Sequence, residues 1–61
     1  MSLADLRVLL VEDHGFQRRL GLRLLADLGM HSLHEAADGF QALELLRRLG
    51  EPPDVILVDL D

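Results

Sequence analysis

The chain has 61 residues, no cysteine, no lysine and a formal net charge of −5. This length allows one small domain, and the composition excludes disulfides and thiolate zinc sites. The acidic balance argues against a nucleic-acid surface. The longest apolar run is four residues, which argues against a signal peptide or a membrane span and favours a cytoplasmic location.

The first predicted elements are a strand over about residues 7–12 and a helix over about residues 14–28. The strand contains the apolar run Val8–Val11, which is typical of a strand buried on both faces in a parallel sheet. The helix is predicted to end at Gly29. Its predicted core-facing side recurs at every fourth residue: Phe16, Leu20, Leu24 and Leu28. Its arginines are interpreted as a solvated face: Arg18, Arg19 and Arg23.

The second half of the chain predicts a strand, a helix and a strand. Residues 31–36 are polar enough for a sheet edge, and a helix over about residues 38–49 begins at the N-cap Asp38. The core-facing side predicted for this helix comprises Ala42, Leu43, Leu46 and Leu49. A strand over about residues 54–59 contains the second apolar run, Val55–Val58, and is again predicted to be buried on both faces.

This order of elements predicts an α/β fold in a single domain over residues 1–61. Right-handed crossovers between parallel strands place the first strand in the middle, giving three parallel strands in the order 2-1-3 with two helices. The third strand then presents an apolar edge. Because open edges pair with other chains, we expect a homodimer formed through this strand.

Acidic residues follow both apolar strands. Glu12 and Asp13 end the first strand and Asp59 ends the third, so the three carboxylates should meet at the carboxyl edge of the sheet, where open α/β folds bind ligands. Their mutual repulsion is about 4 kcal/mol for a pair 4 Å apart at an effective dielectric constant of about 20. A hard divalent cation, Mg²⁺, relieves that repulsion. The three histidines show no ligand spacing and are interpreted as surface imidazoles: His14, His31 and His34.

The sequence resembles the first half of the receiver domain of bacterial response regulators. The stretches that carry the resemblance are VLLVEDH (8–14), AADGFQALELL (36–46) and PDVILVDLD (53–61). It implies a truncated flavodoxin-like (CheY-like) fold in which Asp59 accepts a phosphoryl group from the phosphohistidine of a histidine kinase or phosphotransfer protein. It also implies that Asp13, Asp59 and the main-chain carbonyl of Asp61 hold Mg²⁺, with Glu12 acting largely through water.

The chain also departs from that family. Receivers use a hydroxyl residue after the fourth strand and a lysine after the fifth, and neither strand is present among these 61 residues. We therefore expect a truncated receiver that does not switch and that catalyses at most its own phosphorylation.

Two alternatives remain open. The stretch VILVDLD also fits the first motif of haloacid-dehalogenase-like phosphatases, with Asp59 as nucleophile and Asp61 as general acid, although that motif does not explain Glu12 and Asp13. The other alternative is a self-associating structural piece without activity.

Overall fold

A computed structural model describes residues 2–59 of the chain. A short 3₁₀ turn precedes three strands and two helices, and the elements are Leu3–Asp5 (the turn), β1 Arg7–Glu12, α1 Gly15–Asp27, β2 Ser32–Ala36, α2 Gly39–Arg48 and β3 Val55–Asp59. All strand pairs are parallel, and the strand order is β2-β1-β3. The predicted truncated flavodoxin-like fold, with order 2-1-3, is confirmed. Within residues 2–59, neither helix is long and apolar enough to cross a membrane.

The core is built around β1, the central strand. Its residues Val8–Val11 are buried, as the apolar run predicted. Because strand side chains alternate between faces, Leu9 and Val11 pack on one side against Ala36 and the inner face of α2, which consists of Ala42, Leu45 and Leu46. The remaining strand residues, Val8 and Leu10, therefore face the side covered by α1.

The predicted core-facing side of α1 is wrong. Its four residues are 47–71% exposed: Phe16, Leu20, Leu24 and Leu28. The side that packs on the sheet is formed instead by partly buried residues at the helical spacing of three and four: Arg18, Gly21, Leu22 and Leu25. The contact with the sheet is close, because a Cβ at Gly21 would lie 2.9 Å from Cδ2 of Leu10. Only a small residue on this face lets the helix approach β1.

The predicted face of α2 is correct in part. Asp38 is the N-cap, and its carboxylate accepts a hydrogen bond from the main-chain nitrogen of Gln41 at 2.8 Å. The Gln41 side chain in turn accepts from the main-chain nitrogen of Ala37 at 2.9 Å, which closes the start of the helix. Ala42, Leu46 and Leu49 are partly buried as expected, but Leu43 is 57% exposed because the inner face is centred on Leu45.

The side chains of β3 are exposed, contrary to the predicted burial on both faces. Exposure along Val55–Val58 ranges from 36% to 54%. The cause is position: β3 is an edge strand, and the two helices pack over β1 and β2. An apolar strand thus lies along one side of the described chain.

The amino end of the β1–β3 pair is held by Arg7 and Asp54. The main-chain nitrogen of Asp54 donates to the oxygen of Arg7 at 2.7 Å, and the main-chain nitrogen of Arg7 donates to Oδ2 of Asp54 at 2.9 Å. The guanidinium donates to Oδ1 at 3.2 Å and also pairs with Glu51. Side-chain and main-chain hydrogen bonds from Arg7 lower the pKa of the Asp54 carboxyl. These contacts set the register that brings the other ends of the strands together.

Candidate functional site

The acidic residues lie at the carboxyl ends of β1 and β3. Both strands run in the same direction, and Glu12 is the register partner of Asp59. Residues paired in this way project from the same face of the sheet. The backbone therefore places the ends of the two strands side by side, at the edge where α/β sheets bind ligands.

Glu12 is the buried member of the site. Its side chain is 3% exposed, and Oε1 accepts a hydrogen bond from the main-chain nitrogen of His14 at 3.0 Å. The same oxygen lies 3.1 Å from Nδ1 of the His14 ring. A buried carboxylate needs such partners, because an ionised group without them is costly to desolvate. Glu12 thus has a defined position at the end of β1.

Asp13 and His14 complete a compact group with Glu12. The Asp13 side chain is half-exposed, and its Oδ1 lies 3.0 Å from Nδ1 of His14. One ligand atom from each of the three residues lies within 4.8 Å of the others. His14 lies at the surface as predicted, but its half-exposed ring also contacts both carboxylates, which the sequence analysis did not anticipate. Its position directly after Glu12-Asp13 was the signal in the sequence.

Asp59 occupies the exposed side of the site. It ends β3 and is exposed to solvent. The structure places it beside Glu12 by backbone register, and its carboxylate is not part of the compact group formed by Glu12, Asp13 and His14. Asp61, the other predicted site residue, lies outside the described residues.

Arg18 supports the site from α1. Its Nη1 donates to the main-chain oxygen of Glu12 at 2.9 Å, and its Nε donates to Oε1 of Glu35 at 3.0 Å. The side chain is 19% exposed, so Arg18 does not belong to a solvated face, whereas Arg23 is 79% exposed and pairs only loosely with Asp27 at 3.9 Å. The helical spacing of Arg18 with Leu22 and Leu25 was the signal that it faces the sheet.

The donor set is suited to a divalent cation. Two carboxylates and an imidazole nitrogen converge, and a third carboxylate ends the neighbouring strand. Oxygen ligands favour hard cations such as Mg²⁺. A separate open cavity of about 310 Å³ lies beside α2 and is lined by Glu35, Phe40, Gln41, Glu44, Leu45 and Arg48. It contains none of the residues of the acidic site.

Comparison with known proteins gives relatives over most of the chain. The sensor kinase CckA of Brucella abortus is 43% identical over 53 residues, which are 87% of this chain and 6% of that protein. The chemotaxis protein CheY-3 from two strains of Vibrio cholerae is 39% identical over 44 residues, 72% of this chain and 34% of that protein. We assign the chain to the receiver-domain family. No protein-family profile and no solved structure matches it.

The receiver fold accounts for the position of the acids. Its central strand ends at Glu12, and its third strand ends at Asp59. The chain spans about a third of the length of the chemotaxis protein and a small part of the sensor kinase.

Proposed function

We propose that this chain is the phosphoacceptor half of a two-component receiver domain, spanning residues 1–61, and that Asp59 takes a phosphoryl group from the phosphohistidine of a histidine kinase or phosphotransfer protein. The observation that carries this proposal is the register pairing of Glu12 with Asp59. That pairing sets an exposed carboxylate beside a buried, hydrogen-bonded one at the ligand-binding edge of the sheet.

Transfer of the phosphoryl group requires the protein to supply a nucleophile and to position it next to the phosphorus atom. A carboxylate oxygen of Asp59 attacks phosphorus, the P–N bond of the phosphohistidine breaks, and the donor histidine leaves with the bonding electrons. The product is an acyl phosphate on Asp59. Because Asp59 is exposed at the end of an edge strand, a partner protein can bring its phosphohistidine in line with the carboxylate.

The residues of the site fit Mg²⁺. The oxygen-rich donor set suits a hard cation that keeps several waters and takes few carboxylates. Asp13, Asp59 and the main-chain carbonyl of Asp61 are the proposed direct ligands, and Glu12 is proposed to act largely through water. When bound, Mg²⁺ neutralises charge on the transferring phosphoryl oxygens and orients them. Arg18 keeps the end of β1 in place by binding the Glu12 carbonyl.

We further propose that the chain is cytoplasmic and associates as a homodimer through β3. The exposed apolar edge of β3 is the surface proposed for association. The phosphatase alternative assigns roles to Asp59 and Asp61 but leaves Glu12 and Asp13 without one, so we do not adopt it.

The test is the intact mass of the chain after incubation with acetyl phosphate and Mg²⁺. We expect an increase of one phosphoryl group that requires Mg²⁺ and is abolished by Asp59→Asn. Asp27→Asn is the matched control, because Asp27 is an exposed aspartate at the end of α1 and is not one of the residues of the acidic site. An unchanged mass would contradict the proposal and leave the self-associating piece without activity as the better interpretation. Labelling that survives Asp59→Asn would contradict the assignment of the nucleophile.

A further inference from the structure

We propose that His14 is a ligand of the metal site and that its nitrogen gives this receiver an affinity for transition-metal dications, of which Ni²⁺ is the probe, beyond that of an oxygen-only site. The inference rests on the metal site proposed above and adds to it a residue and a class of cation. The observation behind it is the convergence of one imidazole nitrogen on two carboxylates.

The distances suit coordination. Nδ1 of His14 lies 3.1 Å from Oε1 of Glu12 and 3.0 Å from Oδ1 of Asp13. Neighbouring ligands at right angles around a cation with bonds of about 2.1 Å lie about 3.0 Å apart, whereas tetrahedral ligands lie about 3.4 Å apart. The separation of His14 from Asp13, the proposed direct ligand, therefore matches an edge of an octahedral or tetragonal site, a geometry that Ni²⁺ adopts with nitrogen and oxygen ligands. Hydrogen bonds of the same length hold the ring in place without a cation.

The main chain of His14 is fixed as firmly as the ring. Its nitrogen donates to Oε1 of Glu12 at 3.0 Å, and its oxygen accepts from the nitrogen of Arg18 at 2.8 Å in the first turn of α1. Since Arg18 also binds the carbonyl of Glu12, the start of the helix and the end of β1 are tied together. A ligand held in this way loses little freedom on binding a cation.

Ligand chemistry predicts which cations respond to His14. Imidazole suits Ni²⁺, Zn²⁺ and Cu²⁺, while Mg²⁺ prefers oxygen and keeps several waters. An oxygen-only site also binds Ni²⁺ more tightly than Mg²⁺. Tighter binding of Ni²⁺ would therefore not by itself show that His14 is a ligand. The diagnostic quantity is the change in the ratio of the two dissociation constants when the imidazole is removed.

The experiment is calorimetric titration of the untagged chain with NiCl₂ and with MgCl₂. We expect His14→Ala to weaken Ni²⁺ binding by about tenfold or more, the range seen when the surroundings of a metal site are disturbed, and Mg²⁺ binding by less than about twofold. His31→Ala, which removes an exposed imidazole elsewhere, should change neither. If His14→Ala weakens the binding of both ions equally, or does not weaken Ni²⁺ binding, His14 is not the proposed ligand. Mg²⁺ binding that does not respond to Asp13→Asn would instead overturn the underlying metal site, and the role of His14 with it.

A second measurement uses the unaltered chain and does not depend on the folding of a variant. Octahedral Ni²⁺ is paramagnetic and broadens the NMR signals of rings that bind it. Ring signals of His14 that broaden at lower Ni²⁺ concentration than those of His31 and His34 support the proposal. Broadening that begins at His31 or His34 contradicts it.

Discussion

Glu12 and Asp59 are register partners across the parallel β1–β3 pair, and one is buried while the other is exposed. Glu12 is held by hydrogen bonds at the end of β1, whereas Asp59 is open to solvent at the end of β3. The proposed function uses this difference, because the exposed carboxylate is the one assigned to accept the phosphoryl group. The same pairing underlies the first prediction.

Glu12→Gln is expected to weaken Mg²⁺ binding by about tenfold while the fold is kept. The amide oxygen can still accept from the His14 main-chain nitrogen, but one negative charge is removed from the neighbourhood of the cation. Calorimetric titration measures the affinity, and circular dichroism monitors the fold. Glu44→Gln serves as the control, because Glu44 lies on α2 and pairs with Arg47. Unchanged Mg²⁺ affinity would show that the Glu12 charge has no part in the site.

Arg18→Ala is expected to lower the free energy of unfolding by about 1–3 kcal/mol. The largely buried guanidinium makes charge-assisted hydrogen bonds to a main-chain carbonyl at 2.9 Å and to Glu35 at 3.0 Å, and their loss leaves the carbonyl of Glu12 without this donor. Arg23→Ala removes an exposed arginine and should cost less than about 0.5 kcal/mol. The free energies of unfolding of the two variants are compared by urea denaturation, with circular dichroism as the signal. An equal loss of stability in both variants would contradict the anchoring role of Arg18.

Gly21→Ala is expected to destabilise the chain by about 1 kcal/mol, although alanine is the better helix former by about the same amount. The added Cβ would lie 2.9 Å from Cδ2 of Leu10, and relieving that contact displaces a core side chain or the helix. Gly39→Ala is the matched control, since nothing lies within 4 Å of its Cβ position and its helix should gain stability. A thermal unfolding midpoint raised by both substitutions would show that α1 has room to move.

Acidification is expected to remove the contribution of Asp54 to stability. The pKa of Asp54 in the folded chain is lowered, first by the hydrogen bond from the Arg7 side chain and next by the one from the Arg7 main chain. A lowered pKa stabilises the fold above the ordinary carboxyl value of about 3.9, and this stabilisation is lost as the pH falls through the lowered value.

The measurement is the free energy of unfolding from about pH 6 to pH 2. The original chain should lose stability more steeply below about pH 4 than Asp54→Asn, which has no group to titrate there. Asp27→Asn should keep the steep decline. Parallel curves for the original chain and Asp54→Asn would contradict the role of this contact.

The edge of β3 is expected to mediate self-association. Val55–Val58 are apolar and 36–54% exposed, and such edges pair with another strand unless charge blocks them. Sedimentation at high micromolar concentration should show a dimer or a larger species, and the double substitution Ile56→Lys, Val58→Lys should yield a monomer. Phe40→Lys removes an exposed aromatic ring on α2 and should leave the association intact. A monomeric original chain would contradict the prediction.

The element order, the sheet order and the position of Glu12 and Asp59 at the same edge of the sheet could be predicted from the sequence alone. An uninterrupted apolar run such as Val8–Val11 is typical of a strand in a parallel sheet, and right-handed crossovers from the first strand to the second and the third place the first strand at the centre of the sheet. Acids that directly follow two parallel strands must then share one edge. These conclusions depend on chain connectivity and strand direction, which sequence patterns report well.

The tertiary structure decided which side of each helix meets the sheet and which polar groups meet at the site. The repeat of Phe16, Leu20, Leu24 and Leu28 marks one apolar face of α1, but these residues are exposed. The helix packs on the sheet through its other face, where Gly21 lies close to the side chain of Leu10. The run in β3 resembles that in β1, yet its place at the edge leaves it exposed. The contacts of Arg18 and His14 likewise depend on where the start of α1 sits against β1. The local sequence shows whether one face of a helix or strand is apolar or polar. What packs against that face is determined by elements that are distant in the chain.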